Sequence, residues 1–127
     1  MSIDYKAEIS RLKKELDVTV VAHYYQRDEV FEMADIIGDS LELARRCQAD
    51  TNPWVVFCGV GFMGQSVKVI APEKRVLMPK IACCAMARMM DGSYFEESVQ
   101  YMLDRVIAKE NILPITYICL LYTSQSQ

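Results

Sequence analysis

A histidine followed by two tyrosines, His23-Tyr24-Tyr25, is the sharpest chemical feature of this chain. Histidine exchanges protons near neutrality because its ordinary pKa is about 6.5. A tyrosine hydroxyl can donate to a developing oxyanion or hold a carboxylate. The plainer alternative is a satisfied polar histidine at a sheet edge with two tyrosines that only pack. His23 is the one histidine of the sequence, so a metal site built on several histidines is excluded within this chain.

Three further groups could carry chemistry. Ser40 follows Asp39 at a helix-start pattern, where unpaired backbone N–H groups and the positive end of the helix dipole favour a carboxylate or phosphate. Asp39 and Ser40 can equally be plain capping residues, and both readings can hold together. Gly59, Gly61 and Gly64 spell G-x-G-x-x-G between a strand pattern and a helix pattern, the bare form of a dinucleotide fingerprint. The acidic residue expected about 20 positions on is missing, since the following strand runs into Pro79 and Lys80. The glycines alternatively let the backbone turn tightly into a helix. Cys83 and Cys84 are adjacent, so their side chains diverge and at most one suits a given metal shell. They also read as a pair of inert core thiols, and Met86, Met89 and Met90 beside them as core fillers.

These residues must be positioned by regular elements. Tyr5, Ile9, Leu12 and Leu16 form an apolar stripe at helical spacing, and residues 18–22 (VTVVA) read as a strand covered on both faces that delivers His23 at its carboxyl end. Val30, Met33, Ala34 and Ile37 give a second helical stripe ended by Gly38. Asp39 with Glu42 is a capping-box spacing that starts a helix at Ser40. Residues 54–58 (WVVFC) read as a second strand, 67–70 as a short helix and 75–78 (RVLM) as a third strand. The stretch 80–92 reads as loop, short helix or both. Ser93 and Glu96 make a capping box for a helix carrying Phe95, Val99, Met102 and Val106 to about Lys109, and 112–117 (ILPITY) is a further strand candidate. Strands separated by helices predict an α/β fold with a parallel sheet and helical crossovers.

Composition narrows the class. A net charge of −3 with mixed signs offers no field for a nucleic-acid backbone, and no apolar run approaches a membrane span. The acidic N-terminal segment lacks a secretion signal's charged and apolar regions, so the expectation is a cytoplasmic protein. Five cysteines without a C-x-x-C pair argue against a disulfide framework. A hydrophobic fraction of 52% in 127 residues leaves apolar surface in want of a partner, either another subunit or further polypeptide.

Taken in order, VTVVAHYYQRDEV, IGDSLELAR, VVFCGVGFMGQSVKVIAPEKRVLMP, ACCAMA and PITY resemble the quinolinate synthase family over nearly all of the chain. The resemblance implies three similar Rossmann-like α/β domains around one cavity, each giving one cysteine to a [4Fe-4S] cluster. Residues 1–80 would be the first domain and 81–118 the beginning of the second. Residues 119–127, which fit no pattern and depart from the family at Cys119, are expected to be a non-native tail. Cys84 then resembles the first cluster ligand, because in the family that cysteine follows alanine and one variable residue, here Cys83. His23 and Ser40 would bind substrate carboxylate or phosphate, Tyr24 would serve proton transfer around ring closure, and Tyr117 would hydrogen-bond near the cluster. The implied reaction condenses iminoaspartate with dihydroxyacetone phosphate to quinolinate, for NAD biosynthesis, with the cluster as a Lewis acid. L-aspartate oxidase is the implied functional partner. On this reading the chain breaks off before most of its active site and is inactive alone. The rival readings are a dinucleotide-binding module using the Gly59/Gly61/Gly64 turn, and a small α/β interaction domain.

Overall fold

The computed structural model describes residues 4–89, 92–105, 108–113 and 115. Contacts divide the chain into two units, residues 1–82 and residues 83–127.

The first unit is built on a four-stranded, wholly parallel sheet in the order β2-β1-β3-β4, from β1 (Val18–His23), β2 (Ile36–Gly38), β3 (Trp54–Cys58) and β4 (Arg75–Leu77). Helix α1 (Tyr5–Glu15) precedes β1, α2 (Asp28–Phe31) lies between β1 and β2, α3 (Ser40–Ala49) between β2 and β3, and α4 (Gly61–Ile70) between β3 and β4. The predicted α/β architecture with helical crossovers is thus the one observed. Chain reversal from α1 into β1 uses Asp17 at φ 49°, a left-handed position that a short polar side chain tolerates.

Register assigns the faces. Thr19, Val21 and His23 of β1 share a face with Val55 and Phe57 of β3. Val21, Val55 and Phe57 are completely buried, as are Leu43, Ala44 and Cys47 of α3 and Val67 of α4. α3 and α4 pack against each other in this core. Burial of β1 along nearly its whole length matches the uninterrupted β-branched run that predicted it.

The amino edge of the sheet is closed by polar bonds. The Thr19 hydroxyl donates to the Asp50 carboxylate (2.5 Å) and accepts from the Asn52 amide (2.9 Å). Lys74, only 4% exposed, donates its ammonium protons to the carbonyls of Asp50 and Asn52, joining the approach to β4 to the approach to β3.

Three local expectations are corrected. The stripe from Val30 to Ile37 is not one helix, because α2 stops at Phe31 and Ile36–Gly38 pairs with Val21, Ala22 and His23 as β2. Asp35 begins that pairing, donating its N–H to Val20 O (2.7 Å) and accepting the Val20 N–H on its carboxylate (2.8 Å). An edge of β1 buried without a partner would strand its backbone groups, and that outweighs the helical spacing. Second, the helix expected over 67–70 already begins at Gly61, since burial of Phe62 and Met63 offsets the weak helix propensity of Gly61 and Gly64.

Third, in the second unit the long helix is α5 (Gly92–Leu103), so Ser93 lies within its first turn, and it ends before Lys109. Single 3-10 turns occupy Ala85–Arg88 and Lys109–Asn111. No described residue of this unit is buried. Phe95 is 44% exposed and Met86 and Met89 are 44% and 77% exposed, so these are not core residues here. Met90, Val106, Pro114, Tyr117, Cys119 and the rest of the 119–127 tail lie outside the described residues.

Removing the Lys74 ammonium takes a buried donor away from the part-buried Asp50 and Asn52 carbonyls. Lys74→Met should lower the unfolding free energy by about 1–3 kcal/mol or more, read from the urea midpoint by circular dichroism. An unchanged midpoint would show the clasp to be irrelevant.

Candidate functional site

The carboxyl ends of three adjacent strands, β2, β1 and β3, lie side by side. His23 is level with Gly38 at the end of β2, and Ala22 with Cys58 at the end of β3. From β1 the chain steps to one side to form β2, then crosses back to form β3 and β4 on the other. Such a reversal opens a crevice beyond the carboxyl ends, where open α/β sheets hold ligands.

His23 is 5% exposed, whereas Tyr24 and Tyr25 are 56% and 83% exposed. A tight turn makes this difference. Gln26 N–H donates to the His23 carbonyl (2.9 Å), and Tyr24 N–H donates to the Gly38 carbonyl (3.2 Å), carrying the β1–β2 ladder one residue past the strand. The Tyr25 N–H donates to His23 Nδ1 (3.2 Å), and the Tyr25 ring stands edge-on to the imidazole at 4.6 Å between centroids. Burial pulls the His23 pKa below its ordinary value, opposed by the nearby Asp39 carboxylate. Burial thus favours the neutral form of the ring.

Ser40 opens α3 two residues after the Gly38 that pairs with His23, and it is 3% exposed. Asp39 is the N-cap, its carboxylate accepting from Leu41 N–H (3.1 Å) and Glu42 N–H (2.9 Å). Asp39 thus takes two of the helix's open amides. The chain's own backbone brings His23, Tyr24 and Ser40 to one edge of the sheet.

The Gly59 to Gly64 stretch borders the same edge but is not an open phosphate cradle. Gly61 N–H donates to Ala82 O (2.9 Å), so a first-turn amide of α4 is occupied by the chain itself. None of the described glycines has a positive φ. Their smallness serves packing, since a Cβ on Gly64 would sit 2.6 Å from Met78 Sδ. The dinucleotide reading loses its support here.

Cys84 is a half-buried thiol preceding the Ala85–Arg88 turn in the second unit, and Cys83 beside it is exposed. Tyr117 is outside the described residues. Among the described residues no group of three or more His, Cys, Asp or Glu side chains is placed to hold a metal ion. Cys58 was not singled out by spacing, yet it ends β3 at the site edge, where burial pushes its thiol pKa up. The Tyr25 N–H also escaped notice, because a backbone donor has no signature in sequence. No described helix is long and apolar enough to cross a membrane.

The parallel sheet with its helical crossovers defines a Rossmann-like α/β domain. The family model "Quinolinate synthetase A protein" matches residues 7–119, and the chain belongs to that family. It is 51% identical over 115 residues to the quinolinate synthase of Helicobacter pylori (strain ATCC 700392 / 26695), covering 91% of this chain and 34% of the relative. It is 50% identical over 95 residues to that of Clostridioides difficile (strain 630), covering 72% of this chain and 30% of the relative. To that of Aquifex aeolicus (strain VF5) it is 44% identical over 95 residues, covering 74% and 30%. The chain spans about a third of the length of the curated relatives it matches.

A histidine whose folded pKa is depressed binds its proton more readily in the unfolded chain, so stability falls as the solution is acidified. Its contribution is complete above the unfolded value of about 6.5 and is lost as pH falls from there through the lower folded value. Urea midpoints taken from about pH 8 to about pH 5 should drop more steeply for the native sequence than for His23→Gln. Parallel curves would contradict the assigned shift.

Proposed function

We infer that this chain is the first part of a quinolinate synthase, which condenses iminoaspartate with dihydroxyacetone phosphate to quinolinate. The observation that carries the reading is the meeting of His23, Tyr24 and the Ser40 end of α3 at one carboxyl edge, in a member of this family. Residues 1–80 would then be the first of three similar domains and 81–118 the opening of the second. The enzyme would work in the cytoplasm, where thiols such as Cys47, Cys58 and Cys83 stay reduced. L-aspartate oxidase would be its functional partner.

Each residue has a role that its chemistry supports. His23, neutral and buried, binds a substrate carboxylate or phosphate through a hydrogen bond and not through charge. Ser40 does the same at the positive end of α3. Tyr24, half-exposed beside them, moves a proton during ring closure, and Tyr117 hydrogen-bonds near the cluster. Holding both charged reactants on fixed backbone turns their encounter into a positioned reaction. The described residues do not by themselves form a binding set for a [4Fe-4S] cluster, which needs several thiolates. Cys84 is the one ligand this reading assigns to the chain, with the others supplied by further polypeptide.

The test is a chimera in which residues 4–113 replace the corresponding segment of the Helicobacter pylori relative. Prepared without oxygen, it should bind about four irons per chain and form quinolinate. His23→Gln, Tyr24→Phe or Ser40→Ala should each lower turnover at least about tenfold, a barrier increase of about 1.4 kcal/mol. Cys84→Ser should abolish the cluster's visible absorbance while Cys83→Ser largely keeps it. Retention of the cluster without Cys84 would overturn the ligand assignment, and full turnover without His23 would overturn the cavity.

A further inference from the structure

The bond between Tyr25 N–H and His23 Nδ1 constrains the imidazole beyond what its family role requires. An N–H can be accepted only by a bare lone pair, so Nδ1 carries no proton while this bond stands. A neutral imidazole has one N–H, which must then be on Nε2. The turn that makes the bond is closed independently by Gln26 N–H on the His23 carbonyl and by Tyr24 N–H on the Gly38 carbonyl, so Tyr25 N–H is held in place by backbone alone. The edge-on Tyr25 ring restricts rotation of the imidazole about χ2.

Nε2 has no hydrogen-bond partner among the described residues, and none of their buried side-chain nitrogen or oxygen atoms is left unsatisfied. In a side chain 5% exposed, Nε2 therefore keeps some accessible surface.

We propose that the backbone N–H of Tyr25 is a positioning group that holds His23 as the neutral tautomer with its proton on Nε2. His23 then meets a substrate carboxylate, phosphate or carbonyl oxygen as a hydrogen-bond donor and offers no basic nitrogen to it. Proton abstraction at this edge falls to another group. Only the identity of the acceptor rests on the quinolinate synthase reading, because the tautomer is a property of the turn.

The experiment is a long-range proton–nitrogen correlation spectrum of the ¹⁵N-labelled chain above about pH 7, where an ordinary histidine is neutral. With a single histidine in the sequence, every imidazole signal belongs to His23. The expected pattern has Nδ1 at the shift of a bare nitrogen and Nε2 at that of a protonated one. It should persist in Tyr25→Ala, which keeps the N–H, and give way to averaged shifts in Tyr25→Pro, which removes it. Protonated Nδ1, or averaged shifts in the native sequence, overturns the proposal, as does an unchanged pattern in a folded Tyr25→Pro. Should circular dichroism show that Tyr25→Pro does not fold, the native and Tyr25→Ala spectra decide. Failure of the substrate-cavity reading is seen separately, as a chimera that keeps full turnover with His23→Gln whatever the tautomer.

Discussion

Strand β1 is hydrogen-bonded on both edges and buried along nearly its whole length, and every functional placement in the first unit follows from that. A strand in such a position cannot slip. A shift of one residue would turn Val21 away from the core shared with Val55 and Phe57 and would move His23 off its level with Gly38. Because both neighbouring pairings are parallel, their carboxyl ends lie together, and one register sets His23, the entry to α3 and the entry to α4 along one edge.

The two edges of the sheet use their polar groups differently. At the amino edge, Thr19, Asp50, Asn52 and Lys74 satisfy one another and the local backbone, which ties the elements together. At the carboxyl edge, Asp39 caps its helix and Gly61 N–H is taken by Ala82, which limits where a ligand can enter. Among the described residues there, the Tyr24 and Tyr25 side chains are exposed and the His23 Nε2 atom has no hydrogen-bond partner.

The second unit shows the opposite condition. Helix α5 carries an apolar stripe, yet no described residue of that unit is buried. A helix of this kind gains most of its stability from packing on other elements. The chain matches about a third of each curated relative's length, so the relatives contain far more polypeptide than is present here.

Much of this protein was legible from local pattern. The β-branched runs marked β1 and β3, the Asp39–Glu42 spacing marked the start of α3, and the ordered motifs from VTVVAHYYQRDEV to PITY resembled a family whose model matches residues 7–119. The strand runs and the cap spacing are each complete within a few residues, and the family motifs lie in order along the chain, so the sequence alone determined all of them. Residues 30–37 are different, because their spacing suits a helix and a strand alike, and only the open edge of β1 made Ile36–Gly38 a strand. The glycine fingerprint likewise needed Ala82, eighteen or more positions away, to fill an amide that spacing left open. The tertiary structure also decided the state of His23, since the Tyr25 N–H that meets its ring is a backbone group whose direction depends on the turn. Local sequence sets which conformations are cheap, and pairing between distant segments chooses among them.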